Sequence, residues 1–198
     1  MRLVLASNNA KKLGELDGIL APLGWELIPQ GELGVDEAEE PHVSFVENAL
    51  AKARHAARAT GLPALADDSG LCVDALGGMP GVQSARYAQA AAGEPKSDAR
   101  NNEKLLTMLG EGCNRSAHFV SVIVFLRHAD DPQPLIAEGE WHGEILTAPR
   151  GDNGFGYDPL FYVPEFDRTA AELDATTKNR ISHRGQALQS LLARLRRG

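Results

Sequence analysis

Two neighbouring carboxylates, Asp67 and Asp68, follow the apolar Ala64-Leu65-Ala66 and precede Ser69-Gly70. On extended backbone, successive side chains point to opposite faces, so one of the pair would face a given cleft. A carboxylate at a strand end can ligate Mg²⁺ or accept a proton from water. The same stretch also reads as an Asp-Gly turn with capping carboxylates. A second acidic group, Glu37-x-Glu39-Glu40, lies in an irregular segment. Alone these are ordinary surface carboxylates. Beside the Asp pair they complete an oxygen-ligand Mg²⁺ site, because Mg²⁺ usually takes one or two carboxylates together with water and substrate phosphates.

Phosphate chemistry has its own candidates. Ser7-x-Asn9-x-x-Lys12 is a small polar turn with a Lys on the first turn of the helix that follows. It is not the Gly-rich Walker loop, yet it offers free backbone N–H groups and the positive end of a helix to an anion. The other reading is an ordinary helix cap. Lys52, in Glu47-Asn48-Ala49-x-x-Lys52, adds a cation on the polar face of a second helix. Further along, Gly154-Phe155-Gly156-Tyr157-Asp158-Pro159 alternates aromatics with glycines. Glycine lets a ligand approach backbone closely, and an aromatic between glycines can stack on a base. A tight turn anchored by core aromatics is the alternative. Ser182-His183-Arg184-Gly185 puts cations at a helix start, where the dipole favours anions. Such a locally broken rule points to function, here hydrogen-bond donors for a purine's O6 or N7. A surface His-Arg pair is the bland alternative.

The elements that must position these residues follow from periodicity. Arg2 to Ala6 reads as a short buried strand, and Leu13, Leu16, Ile19, Leu20 and Leu23 place a helix over about Lys11 to Ala21. Trp25 to Pro29 is a second strand, and a helix covers about Val43 to Thr60 and ends at Gly61. Ala64-Leu65-Ala66 runs into a turn at Asp67-Asp68-Ser69-Gly70, and Leu71-Cys72-Val73 continues extended. A third helix spans Ser97 to Leu109. Ala117 to Leu126 is a long strand whose partner is Pro134 to Leu146, with antiparallel pairing expected, and Arg184 to Arg197 is an amphipathic tail helix. Residues 88–100 receive no role. The sum is a mixed-sheet α/β domain with helices packed around it.

Composition narrows the class. With 198 residues, the chain is one domain or one domain with two lobes, large enough to fold without staples. Cys72 and Cys113 rule out a disulfide scaffold and argue against a zinc site; they read as two buried or neutral thiols, with a single bridge as the alternative. No apolar run approaches the roughly 18 residues of a membrane span, and the N-terminal apolar stretch is too short for a signal peptide, so the expected compartment is a reducing cytoplasm. The net charge of −7 argues against non-specific nucleic-acid binding. It is unevenly spread. Residues 31–51 hold Glu32, Asp36, Glu37, Glu39, Glu40 and Glu47 with no Lys or Arg, whereas 175–198 hold Lys178, Arg180, Arg184, Arg194, Arg196 and Arg197 with no acid. A metal candidate, phosphate candidates and a base-recognition candidate together suggest a nucleoside triphosphate and Mg²⁺.

Six segments, in this order, carry a resemblance: Ser7-x-Asn9-x-x-Lys12; Phe45-x-Glu47-Asn48-Ala49-x-x-Lys52-Ala53; Asp67-Asp68-Ser69-Gly70-Leu71; Ser84-Ala85-Arg86-Tyr87; Gly154-Phe155-Gly156-Tyr157-Asp158-Pro159; and Ser182-His183-Arg184-Gly185-Gln186-Ala187. The chain resembles the inosine/xanthosine triphosphate pyrophosphatase family, the dITP/XTP house-cleaning hydrolases, and most of all its bacterial members. The likeness spans nearly the whole chain. It implies a Mg²⁺-dependent hydrolase that converts dITP, ITP and XTP to the monophosphate and pyrophosphate, cleansing the nucleotide pool, and that works as a cytoplasmic homodimer. It also implies an α/β fold: an elongated mixed β-sheet with two α/β lobes, residues 1–198 forming one domain and the active-site cleft lying between the lobes. By the same match Asp68 is the proton acceptor and a metal ligand, Lys52 stands with it as a catalytic residue, and Glu40 is the second metal ligand. Ser7, Asn8, Asn9, Ala10, Lys11 and Lys12, with Lys52, hold phosphates. Ser69, Phe155, Gly156, Tyr157, Asp158, Lys178, His183 and Arg184 bind substrate, several of them at the base. Asn8 stands where Gly is common, and Asn tolerates left-handed backbone nearly as well. Two rivals remain at this stage. One is a Maf-type pyrophosphatase acting on pyrimidine or modified nucleotides, against which the Phe155–Pro159 and Ser182–Ala187 segments argue. The other is a non-catalytic nucleotide sensor, against which Asp68 and Glu40 argue.

Overall fold

A computed structural model of the chain describes every residue except 10, 11, 15, 17–19, 21–23, 92, 113, 197 and 198. Ala10, Lys11, Cys113 and Arg197 therefore lie outside the described residues, as does much of the first expected helix, of which residues 12–14, 16 and 20 are helical.

Seven strands form one mixed sheet in the order β2-β1-β3-β4-β5-β6-β7. Strand β1 (Arg2–Leu5) has three successive buried residues, as a strand covered on both faces should. It pairs in parallel with β2 (Glu26–Pro29), Val4 opposite Ile28, and with β3 (Ala64–Val73), Val4 opposite Ala64. Strands β4 (Ser116–Leu126) and β5 (Leu135–Ile145) are neighbours. Ile145 N donates to Arg115 O, His118 lies beside His142 and Phe119 beside Trp141. One number rises as the other falls, which is antiparallel pairing, as expected. Strands β6 (Phe161–Val163) and β7 (Arg168–Thr169) complete the sheet as antiparallel pairs, β5 with β6 and β6 with β7.

The expected turn at Asp67-Asp68-Ser69-Gly70 is not there. Strand β3 runs unbroken for ten residues through it. The register with β1 ends at Leu65, so beyond it the neighbour in the sheet is β4, and that non-local pairing overrides a local turn preference. Three elements had no periodic signal because they are so short: β6, β7 and a seven-residue helix, Ala175–Ile181.

The remaining helices begin where side chains can cap them. Ser44 caps α1 (Phe45–Thr60), its Oγ accepting from Glu47 N, and Gly61 closes it in the left-handed region at φ 69°. Ser97 caps α2 (Asp98–Leu109) by accepting from Arg100 N. Asp174 caps α3 (Ala175–Ile181), and α4 (His183–Leu195) follows directly.

The chain divides into two units. The first comprises Met1–Asp68, Ser121–Glu138 and Ala187–Gly198. Its core joins Leu3, Leu5, Leu27 and Leu65 of the sheet to Leu16, Leu20, Leu188 and Leu191 of helices. Helix α1 buries Ala49, Ala53, Ala56 and Ala57, a face of small side chains at helical spacing. The second unit comprises Ser69–Val120 and Gly139–Gln186. Its core is aromatic: Phe119 lies 4.6 Å from Phe161, and Phe161 lies 5.1 Å from Trp141, ring centroid to centroid. Along β5 the inward Gly139, Trp141 and Ile145 alternate with exposed Glu138, Glu140, His142 and Glu144, the period of a half-buried strand.

Candidate active site

In the first unit, β3 and α1 bring carboxylates and lysines together. Because side chains alternate along β3, Asp67 and Asp68 leave the strand on opposite faces, and each meets a different lysine. Lys12 Nζ lies 2.7 Å from Asp67 Oδ2. Lys52 Nζ lies 3.3 Å from Asp68 Oδ1 and 2.7 Å from Glu40 Oε1, so one ammonium bridges two carboxylates. Both aspartates are buried. Burial pushes the Asp68 carboxyl above its ordinary range; Lys52 pulls it back, and Glu40 and Asp67 push it further up. Burial works against the charge on Lys52, but Asp68, Asp67 and Glu40 together outweigh it and hold the ammonium above its usual value.

Glu40 sits on a loop, and α1 straps that loop down. Asn48 Oδ1 accepts from His42 N at 3.1 Å while Asn48 Nδ2 donates to His42 O at 3.2 Å. The His55 ring meets Asp36 O at 3.0 Å. Asn48 itself is buried, so a buried amide satisfied by two backbone groups fixes the approach of the acidic segment to Lys52.

At the Ser7–Lys12 turn, side chains hold the backbone on either side of residues 10 and 11. Asn9 N donates to Ser7 Oγ at 3.1 Å, Asn9 Oδ1 accepts from Lys12 N, and Leu13 N donates to Asn9 O. Asn9 is thus the cap, and Lys12 lies on the first turn. Asn8 reaches elsewhere: its Oδ1 accepts from Gly31 N at 2.8 Å. A Cβ at Gly31 would come within 2.7 Å of that same oxygen, so a larger residue there would push the Asn8 side chain aside.

In the second unit the aromatic segment is a projecting loop. Phe155 stands between Gly154 and Gly156, at φ 81° and 62°, and is 44% exposed. Asp158 is buried and gathers its neighbours, accepting from Phe155 N at 2.8 Å and from Lys178 Nζ. A Cβ at Gly154 would run into that carboxylate. Over the Phe155 ring stand two cations, Lys178 Nζ at 5.6 Å and the Arg184 guanidinium at 5.2 Å from the centroid. Arg184 Nη2 also reaches Ser69 Oγ at 3.4 Å. Ser69, Phe155, Asp158, Lys178 and Arg184 are therefore together. His183 stacks on Phe119 at 4.9 Å and 14°, and Tyr157 points inward, its OH donating to Ser84 O at 2.8 Å. Gly185 has a steric role, since a Cβ there would strike Asn179 O and force α4 away from α3.

Sequence reasoning passed over α2. Asp98 Oδ2 accepts from Gly156 N, Asn102 Nδ2 donates to Gly156 O, and Asn101 binds Ser84 O, Ala85 O and Ala88 N. Three polar side chains at i, i+3 and i+4, with Leu105 the next buried residue, were the signal. Cys72 is a free, half-buried thiol, and burial with Glu140 and Asp74 nearby raises it, the opposite of what a thiolate nucleophile needs.

Residues 3–194 match the model of the Ham1 family. The chain is 67% identical to a dITP/XTP pyrophosphatase of Aromatoleum aromaticum over 98% of its own length and 96% of the relative's. It is 65% identical to a dITP/XTP pyrophosphatase of Ralstonia nicotianae, again over 98% and 96%. Among solved structures, a HAM1 protein from Coxiella burnetii superposes with a TM-score of 0.94 at 52% identity, covering 100% of both chains. The Staphylococcus aureus Ham1 protein does so with 0.90 at 43%, covering 99% and 98%. A family model that spans nearly all of the chain, relatives at this identity and the shared fold agree: the chain belongs to the Ham1 family.

Proposed function

We propose that this protein hydrolyses the deaminated purine nucleoside triphosphates dITP, ITP and XTP to the monophosphate and pyrophosphate, removing them before they enter DNA or RNA. The observation that carries the reading is the Lys52 bridge between Asp68 and Glu40, on a chain whose close relatives are dITP/XTP pyrophosphatases.

Lys12, Lys52 and the N–H groups of the Ser7–Lys12 turn hold the phosphates and place fixed positive charge where negative charge develops. Asp68, raised by burial, is suited to take a proton from the attacking water. Water adds to phosphorus, the anhydride bond between the α- and β-phosphates breaks, and pyrophosphate leaves with the electron pair. Phosphoryl transfer needs positioning and charge more than covalent help, so no Cys or Ser nucleophile is required. Asp68 and Glu40 would hold Mg²⁺, which supplies neutralisation of phosphate charge. Asp68 Oδ2 suits that role: it is buried and has no hydrogen-bond partner. Among the described residues no group of three His, Cys, Asp or Glu side chains stands ready to hold a metal. Two carboxylates suffice for a Mg²⁺ whose other ligands are water and phosphate.

The base belongs to the second unit's residues. The exposed Phe155 ring stacks on it, worth about 1–3 kcal/mol. Arg184 and Lys178 are donors that pair with the O6 of hypoxanthine or xanthine and repel the 6-amino group of adenine. A polar mismatch of this kind discriminates by up to about 10⁴–10⁵-fold. Homodimerisation and a reducing cytoplasm complete the proposal. The free Cys72 thiol supports the compartment, and among the described residues no helix is long and apolar enough to cross a membrane.

The test is a product assay with Mg²⁺ and ITP, XTP, dITP, GTP, ATP and UTP, quantifying pyrophosphate separately from phosphate, with an EDTA control. Pyrophosphate from ITP and XTP, little from ATP, and none with EDTA is the expected result. Diphosphate plus free phosphate would place the broken bond elsewhere. Preference for UTP would favour the Maf-type reading, and ITP binding without turnover the sensor.

A further inference from the structure

Gly156 is gripped at both polar atoms by one helix. Its N–H donates to Asp98 Oδ2 at 2.7 Å, and its C=O accepts from Asn102 Nδ2 at 2.9 Å. Asp98 and Asn102 are four apart on α2, so they project from one face, and Asn101 on the same face binds Ser84 O and Ala85 O. The gripped residue directly follows Phe155 and has a left-handed φ of 62°. An isolated Gly explores both signs of φ freely, so a loop of Gly154-Phe155-Gly156 does not by itself hold a ring in one plane.

Asn102 is used in one sense only. Its Nδ2 serves Gly156, while its Oδ1 is buried with no hydrogen-bond partner. Turning the amide over would set an acceptor against the Gly156 carbonyl, so the assignment stands. A half-satisfied buried amide is costly, and a residue kept only for packing would be apolar there. Asp98 gains twice, because a carboxylate in the first helical turn is favoured by the dipole and still reaches the loop.

We infer that Asp98 and Asn102 are positioning residues for base recognition: by clamping Gly156 they fix the plane of Phe155 beneath Lys178 and Arg184, and so set affinity for the purine without touching it. This rests on the proposed purine nucleoside triphosphatase reading.

The experiment is steady-state kinetics with ITP and inhibition by inorganic tripolyphosphate, which has the phosphates but no base, on wild type, Asn102→Asp, Asp98→Ala and Asp98→Asn. Asn102→Asp and Asp98→Ala should raise KM for ITP by about tenfold, on the order of one lost stacking contact, with kcat within about twofold. Inhibition by tripolyphosphate should be unchanged. Asp98→Asn keeps an acceptor for Gly156 N and should restore KM to near the wild-type value. An unchanged KM in both disruptive variants, a fall in kcat with KM held, or an equal loss of tripolyphosphate affinity would overturn the clamp. Thermal melts identify any variant that fails to fold, and the remaining variants decide. If wild type does not turn over ITP at all, the proposed function fails instead, a distinct outcome.

Discussion

The acid–lysine cluster and the aromatic loop solve opposite problems. The cluster's aspartates and lysines come from a regular strand and helices, and its difficulty is electrostatic: Asp67 and Asp68 are buried on opposite faces of β3, and Lys12 on one side and Lys52 with Glu40 on the other make their charges tolerable. The loop is nearly free of charge conflict, and its difficulty is conformational. A ring between two glycines must be held in place, and side chains from α2 and Asp158 do it by hydrogen-bonding to backbone. Removing a charge from the first region should therefore alter chemistry, whereas loosening the second should alter recognition.

The sharpest break is Asp68→Asn. It should lower kcat by at least about 10³-fold, as expected for removal of a general base in a charged site. Since burial holds Asp68 above the usual carboxylate range, the neutral amide should leave the melting temperature nearly unchanged. Lys52→Met is the complement. It leaves Glu40 and Asp68 without their shared cation, and should cost about 3 kcal/mol of stability by urea melts as well as turnover.

Asp131 serves as a control on carboxylates. It is buried like Asp68, yet it accepts from Arg127 N, Nε and Nη2 and from Gln133 N. Hydrogen bonding to Arg127 above all holds it well below the ordinary range, against burial. A lowered folded value means that its stabilisation is complete above about pH 4, the unfolded value, and drains as pH falls through the folded one. Asp131→Asn should therefore cost about 2 kcal/mol at pH 7, with the gap closing below pH 4 in denaturant melts. No effect on kcat is expected.

The smallest effect belongs to the loop. Phe155→Ala should raise KM for ITP by about tenfold with kcat held, the loss of one stacked ring. Arg184→Ala should narrow the ITP-to-ATP ratio of kcat/KM, and an unchanged ratio would remove Arg184 from base selection.

Much of this was legible beforehand, for physical reasons. Long elements with a clear period, α1, α2, β4 and β5, emerge within a residue or two of expectation at most ends, with Ser44 and Ser97 as caps. The Asp67–Gly70 turn failed because those residues lie within the long strand β3 beside β4, a non-local fact that overrides local preference. The candidate residues stood out as motifs, but the side chains that hold them in place did not. Asn48 holding His42, Asn8 holding Gly31 and Asp98 with Asn102 holding Gly156 join residues distant in sequence or ambiguous in type. Nothing in a lone Asn indicates which backbone it will grip.

The most direct test of the division between chemistry and selection uses the Asp68→Asn protein as a binding host. Its Kd for ITP and for ATP would be measured by titration calorimetry with Mg²⁺ present. The account predicts that the inactive protein still prefers ITP over ATP, by a ratio within a few-fold of the wild-type kcat/KM ratio. Equal affinity for the two nucleotides would contradict it, because selection would then depend on the acid–lysine cluster itself.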